Sequence, residues 1–315
     1  MLSYLLRRLI TSLIVVFGVS IGIFLLLHSV YPTPARNVLG LRATQLDVNV
    51  WNKQHGYDDP VITQYLRYVG NVLRGNLGFS YVENQSVWDL LKERTPRSVW
   101  LSGISLVLAV AIAIPLGIFQ AVKRNTIGDN VATSLAFITY SMPSFFLGLI
   151  LIQVFAFSFP ILGFEASQSN NIFVIMGDWK DMTLPVATLT LVSVAAYSRY
   201  MRSASMDVLA QDYIKVARAK GLPERLVMGR HLVRNASLPM VTLIGLSLPL
   251  LLAGNLITES LFNYPGLGLL FFESLQKVDY PVLLAYTLAG AVLVVIGNLI
   301  ADIALTVADP RIRLA

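Results

Sequence analysis

Six long apolar stretches, with almost no charge inside them, limit what this chain can become. A helix crossing the hydrocarbon core of a bilayer needs about 20 mostly apolar residues, and stretches 9–31, 98–119, 131–159, 184–200, 238–258 and 282–308 reach or approach that length. Within them Arg199 and Asp302 are the only Asp, Glu, Lys or Arg residues, and both stand near the end of their stretch. A soluble domain would spread charge throughout; here 55% of the 315 residues are hydrophobic and 13% charged. Only helices satisfy their backbone hydrogen bonds inside a single apolar segment. The expected fold is an all-α integral membrane protein of six transmembrane helices.

Six spans place both ends of the chain on one side, and the excess of Lys and Arg marks that side as cytoplasmic. Arg7, Arg8, Lys123, Arg124, eight residues between Arg199 and Arg234, Arg311 and Arg313 make fourteen of the 24 basic residues. Eight of the other ten fall between Tyr31 and Ser98, a segment long enough to translocate regardless of charge. The net charge of +6 therefore reads as membrane orientation rather than a nucleic-acid surface. Arg7 and Arg8 before an apolar run suggest a signal peptide, but the run to Tyr31 is too long and lacks a small-residue cleavage pattern. It is expected to be a retained span.

This reading gives three regions: 1–97, the first helix and an extracytoplasmic segment; 98–308, five core helices with a cytoplasmic loop at 201–236; and 309–315, a cytoplasmic tail. The segment after the first helix carries Trp51, Tyr57, Tyr65, Tyr68, Trp88 and an amphipathic stretch at 86–97, which predicts folded structure. Pro115, Pro143, Pro185, Pro239 and Pro249 are candidate kinks in or at the ends of spans. There is no cysteine, and His28, His55 and His231 are isolated, so no metal site is expected.

The most informative loop begins Asp212-Tyr213-Ile214-Lys215-Val216-Ala217-Arg218-Ala219-Lys220-Gly221-Leu222-Pro223-Glu224. Asp212 suits a helix start, Gly221 a left-handed closing residue, and Pro223 blocks continuation. A short, sharply terminated helix follows, with Tyr213, Val216, Ala217 and Lys220 on one face. A second basic helix from Pro223 through Arg225, Arg230, His231 and Arg234 returns to the membrane at Leu238-Pro239. Chemistry alone favours a solvated, positive-inside loop, since basic cytoplasmic loops are common in membrane proteins.

The residue pattern goes further. Ala217, Ala219, Gly221, Leu238 and Pro239, with His231, Arg234, Asn235 and Ala236, resemble the coupling loop of binding-protein-dependent ABC importer permeases, in their dipeptide and oligopeptide branch. The likeness extends to Tyr4, Arg8 and Leu9, to Gly75-Asn76-Leu77-Gly78, to Pro143-Ser144-Phe145, to Phe262-Asn263-Tyr264-Pro265-Gly266-Leu267-Gly268 and to Asp309-Pro310-Arg311. Two places depart from the family pattern: Tyr31-Pro32-Thr33-Pro34-Ala35 after the first span, and Asn76 where the family usually has Asp. The resemblance implies a type I ABC importer permease fold and a loop that docks on a cytoplasmic ATPase through Asp212, Tyr213, Val216, Ala217, Arg218, Ala219, Lys220 and Gly221. It implies a second homologous permease, two ATPase subunits and an extracytoplasmic substrate-binding protein as partners, besides membrane lipid. It also implies that ATP and magnesium belong to the ATPases and that this chain binds no cofactor. No Gly-Lys dipeptide occurs, so the phosphate-cradling Gly-Lys-Ser/Thr loop is missing from the chain. Di- or oligopeptides are the implied substrates, with glutathione and nickel chelates as alternatives on the same scaffold.

Polar span residues able to face a water-filled route are Tyr140, Gln153, Asn255, Asn298 and Asp302, each better explained by a helix-to-helix hydrogen bond than by a substrate contact. An ion-coupled secondary transporter would need ionisable groups near the midplane, where Asp302 is the only candidate. An intramembrane hydrolase has two literal motif matches, Gly18-Val19-Ser20-Ile21-Gly22 and Ser274-Leu275-Gln276-Lys277. The first lies in a membrane helix rather than a strand-to-helix turn, and the second has no supporting motif.

Overall fold

The computed structural model describes the backbone of residues 2–308 apart from Pro32, Leu41 and Asn170, and the side chains of 7–300 apart from those three, Leu9 and 248–253. Tyr4, Leu9, Pro32, Pro249, Asp302 and Asp309-Pro310-Arg311, used in the reading above, lie outside the residues so described.

Helix α1 spans Leu2–Val30. A folded segment follows: α2 (Ala35–Leu39), α3 (Gln45–His55), α4 (Val61–Leu73) and a two-stranded antiparallel hairpin pairing Phe79–Ser80 with Gln85–Ser86. Thr44 and Asp47 form a reciprocal capping box on α3, and Gly56 closes it at φ 71°. Trp51 packs with Ala35 and Val48 to hold α2 and α3 together. Of the aromatic residues that predicted folding, Trp51 is buried with Tyr57 against it, Tyr65 and Tyr68 pack near Phe24 of α1, and Trp88 is exposed. Helix α4 is amphipathic, and Ile62, Leu66 and Leu73 stand exposed along one face.

Helix α5 runs without interruption over Val87–Val122, so the amphipathic stretch and the second apolar stretch are one helix carrying Pro96 and Pro115. The third stretch is two helices: α6 (Ile127–Ser141) and α7 (Ser144–Ile152), the latter continuing as a π-helix to Ser158, bent by 106° at the join. Pro143 is the physical reason: it has no N–H and drives Met142 to an extended conformation, φ −84°, ψ 133°. After α8 (Ile172–Gly177), α9 covers Trp179–Leu209, with Pro185 inside it. Then come α10 (Asp212–Ala219), α11 (Glu224–Leu226), a π-helix at Val227–Val233, α12 (Arg234–Ala236), α13 (Leu238–Ala253), α14 (Leu256–Leu261), α15 (Leu267–Lys277) and α16 (Tyr280–Ala308). The fifth apolar stretch is therefore also broken, at Gly254, whose φ of 80° ends α13.

Among the described residues three helices are long and apolar enough to cross a membrane, at Ile10–Val30, Val87–Val122 and Tyr280–Ile300, or four with the bent α6–α7 pair. Stretch 184–200 sits inside the longer α9, and α13 contributes the shorter apolar helix Leu238–Ser247. The chain is an apolar helical membrane protein.

Helix α5 packs along α9, and its small residues Ser105, Ala109, Ala113 and Gly117 are all buried, with Ser105 bonded to α9 at Val186 and Thr190. Across from it Thr188, Ser198, Met201 and Ser205 are buried on α9. Lipid is as apolar as a helix surface, so such pairs gain from close van der Waals contact rather than from leaving water. At Gly117 the approach is tightest, since an added Cβ would lie 2.6 Å from Met201 Cβ and 2.7 Å from the Ser198 carbonyl oxygen. Helix α16 packs against α13 and α1, while Leu13, Ile14 and Phe17 on α1 face outward.

Candidate coupling loop and pathway residues

The loop helix α10 forms where its residues predict it, with one change at its start. Gln211 is the N-cap, and Asp212 is the first helical residue, bonded to Lys215 Nζ at 2.9 Å. A carboxylate in the first turn suits the helix dipole without capping it. At the far end Gly221 takes φ 75°, and Leu222 N donates to the Ala217 carbonyl at 3.3 Å. Arg218 spans the turn to Glu224 with Nη2–Oε1 2.7 Å and Nε–Oε2 3.3 Å, and this bond raises the guanidinium further above its ordinary value.

The helix faces are divided. Ile214 and Ala217 are buried against Val227, with Val208, Leu222 and Met228 around them. Tyr213, Val216, Arg218, Ala219, Lys220 and Gly221 remain exposed. Ala217 thus belongs to the seat of the helix, although its spacing groups it with Tyr213, Val216 and Lys220. From Val227 the π-helix carries Leu232 into a second buried cluster with Met201, Ala236 and Met240. The second basic helix is present, with a π-helical middle that the residues did not reveal.

Immediately after Met201 on α9, Arg202 grips Asp129 of α6 with two bonds, Nε–Oδ1 3.1 Å and Nη2–Oδ2 2.9 Å. Thr133 and the Asn125 N–H complete the acceptor sites of this buried carboxylate. Sequence reasoning overlooked the pair because each residue stands at the edge of an apolar stretch, where a lone charge reads as an end marker.

It also overlooked Glu259, which follows the fifth stretch and is fully buried. Its carboxylate accepts from Ser98 Oγ (2.7 Å), Gly268 N (2.6 Å), Asn255 N (3.0 Å) and Leu269 N (3.3 Å). Ser98 Oγ in turn accepts from Leu267 N, and Tyr264 donates to the Arg97 carbonyl at 2.7 Å. This explains the Asn-Tyr-Pro-Gly-Leu-Gly run: a Cβ at Gly266 would lie 2.4 Å from Glu259 Oε2, and one at Gly268 2.6 Å from the Leu256 backbone. A carboxylate directly before a glycine-rich run was the available signal.

The four pathway candidates among the described residues lie in separate surroundings. Tyr140 lies against Arg199, whose guanidinium carbon is 4.7 Å from the ring centroid. Gln153 opens the π-helix of α7 and is exposed. Asn255 donates to Ser102 Oγ at 2.6 Å, a helix-to-helix bond beside Glu259. Asn298 borders a cleft of ≈ 400 Å³ with Arg8, Thr11 and Ser12. Ser20 lies within α1, its hydroxyl engaged with the Phe17 carbonyl and Tyr65 at 2.8 Å each, and Ser274 is buried in α15. Asn76, the departure noted above, accepts from Gly78 N at 2.9 Å, a bond an aspartate oxygen makes equally well.

The chain belongs to the binding-protein-dependent transport family: residues 113–314 match its "Binding-protein-dependent transport system inner membrane component" and residues 1–102 its "Binding-prot-dependent transport system membrane comp, N-term". It is 38% identical over 317 residues to the oligopeptide transport system permease protein AppB of Bacillus subtilis (strain 168), covering 99% of this chain and 100% of that one. It is 35% identical over 313 residues to the glutathione transport system permease protein GsiC of Escherichia coli (strain K12), covering 99% of each. A solved amino acid ABC transporter chain overlaps 71% of this chain and 94% of its own length, with a TM-score of 0.46 and 18% identity.

Proposed function

We propose that this chain is a pore-forming permease of an ATP-driven importer for di- or oligopeptides, delivering substrate from an extracytoplasmic binding protein to the cytoplasm by alternating access. Its partners are a second homologous permease, two cytoplasmic ATPase subunits that hold ATP and magnesium, and the binding protein. The observation that carries this reading is α10, held from behind by Ile214 and Ala217 and presenting Tyr213, Val216 and Lys220 outward. A lever driven by another protein needs such a rigid seat and a free face. All six apolar stretches enter the membrane, α6–α7 and α13–α14 as broken elements, with both termini in the cytoplasm. Region 1–97 places its folded segment outside, α4 resting its apolar face on the membrane surface; 98–308 forms the core, 201–236 the coupling loop and 309–315 the tail.

Full-length similarity to an oligopeptide permease supports peptides first, and similarity to a glutathione permease keeps glutathione as the second candidate. The test is uptake by proteoliposomes holding the assembled complex, with labelled di- and oligopeptides, glutathione and nickel chelates. ATP-dependent peptide uptake is expected; uptake without ATP would refute the importer, and uptake of glutathione or nickel alone would reassign the substrate.

A further inference from the structure

Arg199 is a cation in an apolar stretch, and its charge is not neutralised as that of its neighbour is. Its guanidinium carbon stands 4.5 Å from the Phe137 ring centroid and 4.7 Å from that of Tyr140. Phe137 and Tyr140 lie eight and eleven residues past Asp129 on α6, about 12 and 16 Å along the helix axis from the Arg202–Asp129 pair. Among the described residues no carboxylate lies within ion-pairing distance of Arg199, and no acceptor takes its N–H groups, whereas Arg202 is bound twice by Asp129.

Aromatic stacking occupies the face of a guanidinium and leaves its planar edge, with five N–H donors, for a bidentate oxyanion. Arg199 borders a cleft of ≈ 310 Å³ with Tyr140, Ala196, Tyr200 and Ser203, three of which carry hydroxyl groups. The cleft adjoins the 106° break between α6 and α7, two residues beyond Tyr140. An ionisable group within an apolar stretch persists in a membrane protein where it faces a water-filled cavity or the bundle interior.

Resting on the peptide reading above, we infer that Arg199 forms a station on the transport route that binds the terminal carboxylate of the peptide, with Tyr140 and Ser203 completing the contact. The rings hold the guanidinium in place, and the hydroxyl groups supply neutral donors. One fixed positive charge and no matching negative charge suit a carboxylate and disfavour a terminal amide.

The experiment compares ATP-driven uptake of alanyl-alanyl-alanine and its C-terminal amide by the complete complex, wild type, Arg199→Gln and Arg199→Lys. The binding protein is the same throughout, so any preference it imposes cancels between permeases. Arg199→Gln is expected to slow the free acid about tenfold, the scale of a charge-assisted hydrogen bond, and to leave the amide within about twofold; Arg199→Lys restores part of the loss. Amide uptake in the same vesicles controls for assembly. Equal slowing of both peptides, or no change in either, overturns the station while leaving the importer standing. Absence of ATP-driven uptake of either peptide by the wild type refutes the peptide reading and the station with it. A lipid phosphate as the anion predicts that phosphatidylglycerol, added to phosphatidylcholine vesicles, alters wild-type uptake and not that of Arg199→Gln; this result also overturns the proposal.

Discussion

Replacing both Tyr213 and Val216 by alanine separates the proposed docking face of α10 from its seat. Tyr213 is 42% exposed and Val216 51%, whereas Ala217 is 7% exposed and Ile214 fully buried. Exposed substitutions of this kind change stability by no more than about 0.5 kcal/mol, so the isolated permease should melt as the wild type does. A tyrosine anchoring an interface is worth about 2 kcal/mol or more on truncation. The double variant should therefore bind the ATPase subunits about 30-fold more weakly, by the rule that about 1.4 kcal/mol is tenfold. Ala217→Trp behaves in the opposite way: it overfills the space against Val227 at a cost of about 1–3 kcal/mol and lowers the melting temperature before any partner is added. The assays are thermal melting of the purified permease, co-purification with the ATPases, and peptide-stimulated ATP hydrolysis. Wild-type ATPase binding and stimulation in the double variant would refute the docking role of this face, and a wild-type melt for Ala217→Trp would refute the seat.

Glu259→Ala should cost at least about 3 kcal/mol, because the Ser98 hydroxyl and three backbone N–H groups lose one acceptor together; an unchanged melting temperature in detergent would count against the anchor. Gly117→Leu should prevent α5 from reaching α9 and abolish recovery of the folded permease, whereas Gly103→Ala, with nothing within 4 Å of the added Cβ, should be recovered as wild type, as size-exclusion profiles will tell. Asp279, between α15 and α16, is raised above its ordinary value chiefly by burial, against the bond from Ser80. A carboxyl raised on folding favours the folded state below its unfolded value and loses that contribution as pH rises through its folded value. Wild type should therefore gain stability relative to Asp279→Asn on acidification from neutrality toward the ordinary carboxylate range, and parallel melting curves across that window would refute this.

Hydropathy made α1, the apolar part of α5 and α16 legible because each meets lipid over a long continuous run. It did not show the Pro143 and Gly254 breaks, since a run of apolar residues records solvent preference and not direction. Pro115 and Pro185 look the same in sequence as Pro143, yet both lie inside continuous helices. Helix α10 was legible from Gly221 and Pro223, which act locally. Its seat was not: alanine spacing cannot say which neighbour covers it, and Ile214 became the anchor only once Val227 folded back. Glu259 and the Asp129–Arg202 pair depend on contacts across many residues and have no local period to betray them.

The seat of α10 has a consequence for how force can travel. Ile214 and Ala217 press on Val227; five residues later in the chain Leu232 packs on Met201, and Arg202 beside it grips Asp129 at the start of α6. These contacts join the loop to α9 and to the base of α6 through buried side chains and a two-bond ion pair, so a displacement of α10 has little free space in which to dissipate. Two helical irregularities lie along that line, the π-helix at Val227–Val233 and the Met142-Pro143 break above Tyr140. Both lack the regular i to i−4 ladder that stiffens the rest of α6 and α9, and π segments recur where helices serve function. On the proposed lever reading the stiff parts transmit and the irregular parts yield, so displacement is expected first at the π-helix and again beyond Pro143, next to the cleft that Arg199 borders.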